Sequence, residues 1–162
     1  MPADPARAPR IVPSVLDRLL DDDPEQSQER PRTPAQEIRD LRDSVMRDVG
    51  NILNTRRRWP APDPALGELT PSLADYGIPD FTGADLSGPR ALEEFREAME
   101  TALRRYEPRF KTVRVEVQRG GDEGDRTLRF RIDALLHADP APESIVFDSI
   151  VDPVTGGFEV EE

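Results

Sequence analysis

Apolar positions along this chain fall into two helical stripes followed by three alternating runs. Ile38, Leu41, Val45, Val49 and Ile52 recur every three to four residues, the spacing of a face turned to a core. Thr33-Pro34 ahead of them supplies an N-cap and a first-turn proline, so a helix is predicted from 34 to about 56. Leu92, Phe95, Met99, Ala102, Leu103 and Tyr106 form a second stripe, opened by Ser87-Gly88-Pro89 and ended near Glu107, because Pro108 disfavours helical geometry in the residue before it. The period then changes. Val113, Val115 and Val117 alternate with Arg114 and Glu116, and Leu128, Phe130, Ile132 and Ala134 resume the alternation after "RGGDEGDR", which predicts a hairpin. "ESIVFDSIV" is a third strand, and "DPVTGG" turns the chain into a short "FEV" end.

The third strand is apolar on both sides, Ile145, Phe147 and Val151 on one and Val146 and Ile150 on the other. Such a strand is either central or covered by a partner. Between the long helices, "LTPSLADYGIPDF" predicts a short helix opened by Thr70-Pro71 and stopped near Gly77, with Tyr76, Ile78 and Phe81 anchoring it in the core. The first residues are crowded with proline and hold one amphipathic island, "VPSVLDRLLDDDP", in which Ser14 caps and Pro24 stops a turn or helix bearing Val12, Val15, Leu16, Leu19 and Leu20. An island of this kind docks on its own domain or on a partner. The expected architecture is α+β: two main helices packed on a small, mainly antiparallel sheet of three to four strands. Residues 1–32 form a mobile amino-terminal flank and residues 33–162 the domain.

A formal net charge of -11 disfavours nonspecific adhesion to nucleic acid or anionic membrane. The charge is also segregated: positions 104–131 carry an excess of arginine and lysine, whereas from Ile132 onward there are acids and neither basic residue. An acidic last strand beside a more basic hairpin is either ordinary cross-strand chemistry or a keyed edge for another strand. The lack of cysteine excludes disulfides, thiolate metal sites and a thiol nucleophile, and with no apolar run of membrane-spanning length it points to a soluble, cytoplasmic protein.

Catalytic chemistry finds little to build on. A glycosidase needs two carboxylates across a sugar cleft, one of raised pKa. Glu107 is the conceivable acid, but Arg109 beside it favours the ionised form, and one tryptophan and two tyrosines line a sugar cleft poorly. The single histidine, His137, cannot form a histidine metal cluster and reads as a strand-end residue. Gly120, Gly121 and Gly124 lie among aspartates that repel phosphate. Arg56, Arg57 and Arg58 suit the negative end of the first helix or a protein contact. Neither metal nor cofactor is expected.

The triplet Glu107-Pro108-Arg109 has two readings. In one, Pro108 stops a helix and the flanking charges are solvated, contributing about 0 to 1 kcal/mol if they pair. In the other, a rigid turn holds a carboxylate and a guanidinium ready for charge-assisted bonds to a partner.

Taken in order, "NTRRRW", "SLADYGIPDF" and "YEPRF" leading into an alternating strand resemble the TssE family, small baseplate subunits of the bacterial type VI secretion system that are similar to gene-25-type wedge proteins of contractile phage tails. The resemblance runs from about Ile38 to Val151, and "VPSVLDRLLDDDP" also looks like the leucine-rich amino-terminal segment of that family. It implies a structural role without catalytic residues: Glu107, Pro108 and Arg109 dock on a helical bundle of the wedge proteins TssF and TssG. The carboxy-terminal strands, with Ile145, Val146, Phe147 and Asp148, start polymerisation of the TssB and TssC sheath. Its implied location is the cytoplasmic baseplate docked on the inner-membrane complex. The alternatives are a lysozyme-like peptidoglycan hydrolase, and a soluble regulator like the stress-response antiadaptors that share this fold.

Overall fold

The computed structural model describes residues 14–17, 19, 20, 25, 33–57, 63, 65–69, 72–81, 86, 88–118, 127–137, 142–151 and 155–161. Helix α1 (Pro34–Asn54) starts at Thr33, whose side chain accepts from the Gln36 amide while the Gln36 side chain accepts from the Thr33 amide, a reciprocal capping box. It stops at Asn54, two residues short of the end its apolar stripe suggested. Helix α2 (Pro89–Tyr106) opens on its proline and ends with Glu107 as C-cap, where the sequence placed its stop. Strands β1 (Phe110–Gln118), β2 (Leu128–Leu136), β3 (Glu143–Val151) and β4 (Phe158–Glu161) form one antiparallel sheet in the order β1-β2-β3-β4. The short helix between α1 and α2 contracts to a 3-10 turn at Leu73–Asp75. Val12, Pro24, Arg58, Thr70-Pro71, Ser87, the glycine-rich hairpin turn at 119–126 and the turn residues 152–154 lie outside the described residues.

One face of the sheet carries the core. Val113, Val115, Phe130, Ile132, Ile145, Phe147 and Val151 are buried with Val45, Val49, Ile52 and Leu53 of α1 and Phe95, Met99 and Leu103 of α2. Phe81 lies 4.5 Å from Phe95 and 5.7 Å from Phe158 between ring centres, so the loop before α2 closes the end of the core with aromatic contacts. On the other face, Val146 and Ile150 of β3 are half-buried and Asp148 is exposed. β3 is therefore central in hydrogen-bonding order, with its core side covered by helices.

The segment following α1 is held by polar contacts to backbone. Asn54 donates from Nδ2 to the Phe158 carbonyl (3.0 Å) and accepts the Phe158 amide at Oδ1 (2.9 Å), so its side-chain amide pairs with the outer edge of β4 as a strand would. Arg56 donates to the Leu53 carbonyl at 3.0 Å and to the Gly156 carbonyl, and its guanidinium stacks 4.5 Å from the centre of the Phe81 ring. Thr55 and Arg57 exchange backbone hydrogen bonds with Ile78. Gly77 permits this approach: its φ is +96°, and a Cβ there would collide with the Thr55 carbonyl.

The opposite edge of the sheet is stopped in the same manner. The Val115 amide donates to Glu100 Oε2 (3.2 Å) and its carbonyl accepts from Arg96 Nη1 (3.3 Å), while Arg96 and Glu100 pair with each other at 2.8 Å. Side chains of α2 thus occupy the backbone groups of Val115, at the middle of β1, that a further strand would use. One stretch differs. β4 pairs only with Asp148–Val151, so among the described residues no strand lies beside Glu143 to Phe147 on that side of β3.

Gly77→Ala should destabilise the domain by roughly 2–3 kcal/mol, because it adds both positive-φ strain and a clash with main chain. Urea unfolding measures the loss; a change below about 0.5 kcal/mol would show that the Thr55 to Ile78 bracket is not needed.

Candidate functional site

The Glu107–Arg109 turn sits where α2, β1 and α1 meet. Pro108 occupies the second position of a β-turn closed by the Phe110 amide donating to the Glu107 carbonyl at 3.1 Å. Glu107 Oε1 accepts from the Arg109 amide (3.1 Å) and from Arg109 Nε (2.7 Å), and Oε2 accepts from Nη2 (2.5 Å), a bidentate pair built inside a single turn. The pair then reaches helix α1. Arg109 Nη1 donates to Ser44 Oγ at 2.7 Å and Nη2 to Asp48 Oδ2 at 2.5 Å, these two α1 residues being one turn apart. Glu107 is only 2% exposed and the Arg109 side chain 18%. Burial alone would lower the Arg109 pKa, but Glu107 and then Asp48 outweigh it and raise it further above its ordinary range.

Neither sequence-level picture of the triplet describes this geometry. Glu107 is not solvated, and in this chain the fork is closed on its own domain instead of held open. Pro108, by contrast, is exposed at the tip. Periodicity could not announce Ser44 and Asp48 as members, since both lie beside the apolar stripe of α1 and read as ordinary helix polar residues.

A third carboxylate comes from the amino-terminal island. Ser14 and Asp17 cap each other, the Ser14 amide donating to Asp17 Oδ2 at 2.9 Å and the Asp17 amide to Ser14 Oγ at 3.1 Å, and Leu19 and Leu20 amides close the turn on the Leu16 carbonyl. Asp17 Oδ1 lies 2.6 Å from Arg47 Nη2, and Oδ2 accepts from Ser44 Oγ at 2.8 Å and sits 3.9 Å from Arg109 Nη1. Ser44 accordingly bridges two carboxylate systems, accepting a hydrogen bond from Arg109 and donating one to Asp17. Burial pushes the Asp17 carboxyl up, yet hydrogen bonds from Arg47, Ser14 and Ser44 outweigh it and hold the group well below the usual carboxylate range.

The remaining predicted positions lie elsewhere. Ile145 and Phe147 point into the core, so a partner beside β3 meets only their backbone, whereas Val146 and Asp148 are on the uncovered face. A separate pair of arginines converges on Asp75, Arg57 at 3.2 Å and Arg105 at 2.7 Å, tying the 3-10 turn to α2. Among the described residues no cluster of three or more potential metal ligands occurs. None of their helices is long and apolar enough to cross a membrane.

A family model described as baseplate wedge protein gp25 matches residues 39–141. This chain belongs to the gp25 baseplate wedge family. The matched span contains Ser44, Asp48, Glu107 and Arg109, whereas Asp17, β3 and β4 lie outside it. Curated relatives of this gp25-family chain include the anti-adapter protein IraD of Salmonella arizonae, 33% identical over 76 residues that make up 47% of this chain and 58% of that protein. IraD of Salmonella paratyphi A is 30% identical over the same shares. The chain thus spans about 58% of the length of the curated relatives it matches. Among solved structures, a chain of the baseplate complex from the type VI secretion system is similar at a TM-score of 0.49 and 22% identity, over 72% of this chain and 98% of that one.

Two predictions follow from the buried pair and the island. Arg109→Ala strands the Glu107 carboxylate and should cost about 3–5 kcal/mol, more than Glu107→Ala, after which Arg109 keeps Asp48 and Ser44. Chemical denaturation of both variants gives the order; equal and small losses would place the pair outside the stabilising framework. For Asp17 the depressed pKa means that its clasp contributes fully above about pH 4 and is lost as pH falls toward the folded value. A carboxyl titration followed by NMR should therefore show Asp17 with a midpoint below about 3.9, and a midpoint at or above it excludes the clasp.

Proposed function

We propose that this chain is a TssE-type adaptor of a type VI secretion baseplate, binding the wedge proteins TssF and TssG through the Glu107–Arg109 turn and recruiting TssB and TssC sheath strands along β3. The observation that carries the proposal is the gp25 family match across the helix α1 and turn residues that build the Arg109 cluster. In this scheme the exposed Pro108 tip and the partly exposed guanidinium meet the wedge bundle, and the buried Glu107 keeps Arg109 in register. The β3 edge suits strand addition for a geometric reason. Val115 and Phe158 on the outer strands already have side-chain partners, whereas Glu143 to Phe147 lie beyond the end of β4.

The role is structural, at the cytoplasmic face of the machine. Glu107 is buried with both carboxylate oxygens held by Arg109, out of reach of a substrate, which argues against the hydrolase alternative; release of muropeptides by the purified protein, lost in Glu107→Gln, would revive it. The IraD matches favour a second reading as an antiadaptor-type regulator. A pulldown from cells separates these: TssF, TssG and sheath proteins support the baseplate role, and their absence beside a recovered regulator supports the other.

Val146→Pro, which obstructs strand addition at the centre of the open stretch, should abolish sheath recruitment while wedge binding and the thermal transition persist. Co-sedimentation with sheath and with wedge measures the two separately. Sheath recruitment that survives the substitution would move the docking strand elsewhere.

A further inference from the structure

The amino-terminal turn is fixed to the domain by its polar side and turns its apolar side to water. Asp17 is seated on Ser44, Arg47 and the rim of Arg109. Val15, Leu16, Leu19 and Leu20 are 74%, 49%, 76% and 52% exposed. This is the reverse of an amphipathic segment packing on its own core, where the leucines would be buried and the aspartate solvated. The clasp is also specific in direction, since the Ser14 and Asp17 mutual cap sets which way the next turn points.

We infer that the turn Ser14–Leu20 is a presented docking element: Asp17 pins it beside the Glu107–Arg109 turn so that its four apolar side chains enter a groove on the protein bound at that turn. The inference rests on the wedge-binding role proposed above and adds a second contact to it. Two features fix the chemistry of the groove. Its floor is apolar, because four exposed aliphatic side chains in one turn gain by leaving water together. A basic partner surface suits the turn, because Asp21, Asp22 and Asp23 follow directly in sequence. The domain's own Arg47 and Arg109 are already engaged by Asp17 and the α1 and turn carboxylates. Ordering the turn in advance reduces the entropy lost on binding, which gives the polar clasp a use that its exposed position alone would not.

The test compares wedge affinity of the full chain with that of two variants, using the purified TssF–TssG complex as the probe. Leu16→Glu/Leu19→Glu, which leaves the domain core untouched, should weaken binding by about tenfold or more with an unchanged thermal midpoint. Asp17→Asn should weaken it in the same direction by about threefold or more, through loss of the clasp, and the effect should disappear when combined with the leucine variant. Wild-type affinity in the leucine variant overturns the inference while leaving the wedge assignment standing. Tighter binding by Asp17→Asn also overturns it, making the turn an internal competitor for Arg109. A wild-type chain that does not bind the wedge removes the assignment itself, and the inference with it.

Discussion

The guanidinium of Arg109 is the joint on which the arrangement depends. It holds the last residue before β1 to the cap of α2 through Glu107 and to the middle of α1 through Ser44 and Asp48, so one planar group spans three elements. A lysine could not substitute, because Nε and both terminal nitrogens of the fork are distributed among Glu107, Asp48 and Ser44 in fixed directions. Taking Glu107 out of water is costly, and the cost is offset only while every donor is in place. The same group therefore ties the end of α2 and the middle of α1 to the start of the sheet, leaving Pro108 exposed at the tip.

Local physics explains which parts of this fold were legible in the sequence. The α1 and α2 stripes, the stop at Glu107 and the alternation of β1 to β3 follow from periodicity and proline sterics, and the structure has them within a few residues. The tertiary half of the site was not legible. Glu107 and Arg109 are two residues apart and suggest a pair, but Ser44 and Asp48 join from some sixty residues away, and no periodic signal distinguishes them from solvated helix residues. Asp17 was hidden for another reason: an apolar island invites the assumption that its leucines do the docking on the domain, whereas its carboxylate does.

The motif "NTRRRW" illustrates a different gap. Its arginines suit a helix end or a protein contact, and Arg56 does donate to one carbonyl of the last turn, that of Leu53. Yet the residue with the longest reach is Asn54, whose amide pairs with β4 more than a hundred residues later, and Thr55 matters mainly through a backbone that only Gly77 can approach. Family resemblance found this stretch as letters. In the fold it is the bracket that ties helix, loop and last strand together.

The side-chain stops on the outer strands have a consequence for valency. A sheet with two free borders can accept neighbours on both sides and has no preferred direction of growth. Here an amide from α1 blocks Phe158 and a carboxylate with its arginine from α2 blocks Val115, while among the described residues Glu143 to Phe147 face a gap in line with β4. A strand that enters there completes an interrupted row without starting a new one. Such a sheet offers an incoming strand one open row, in the direction set by β3.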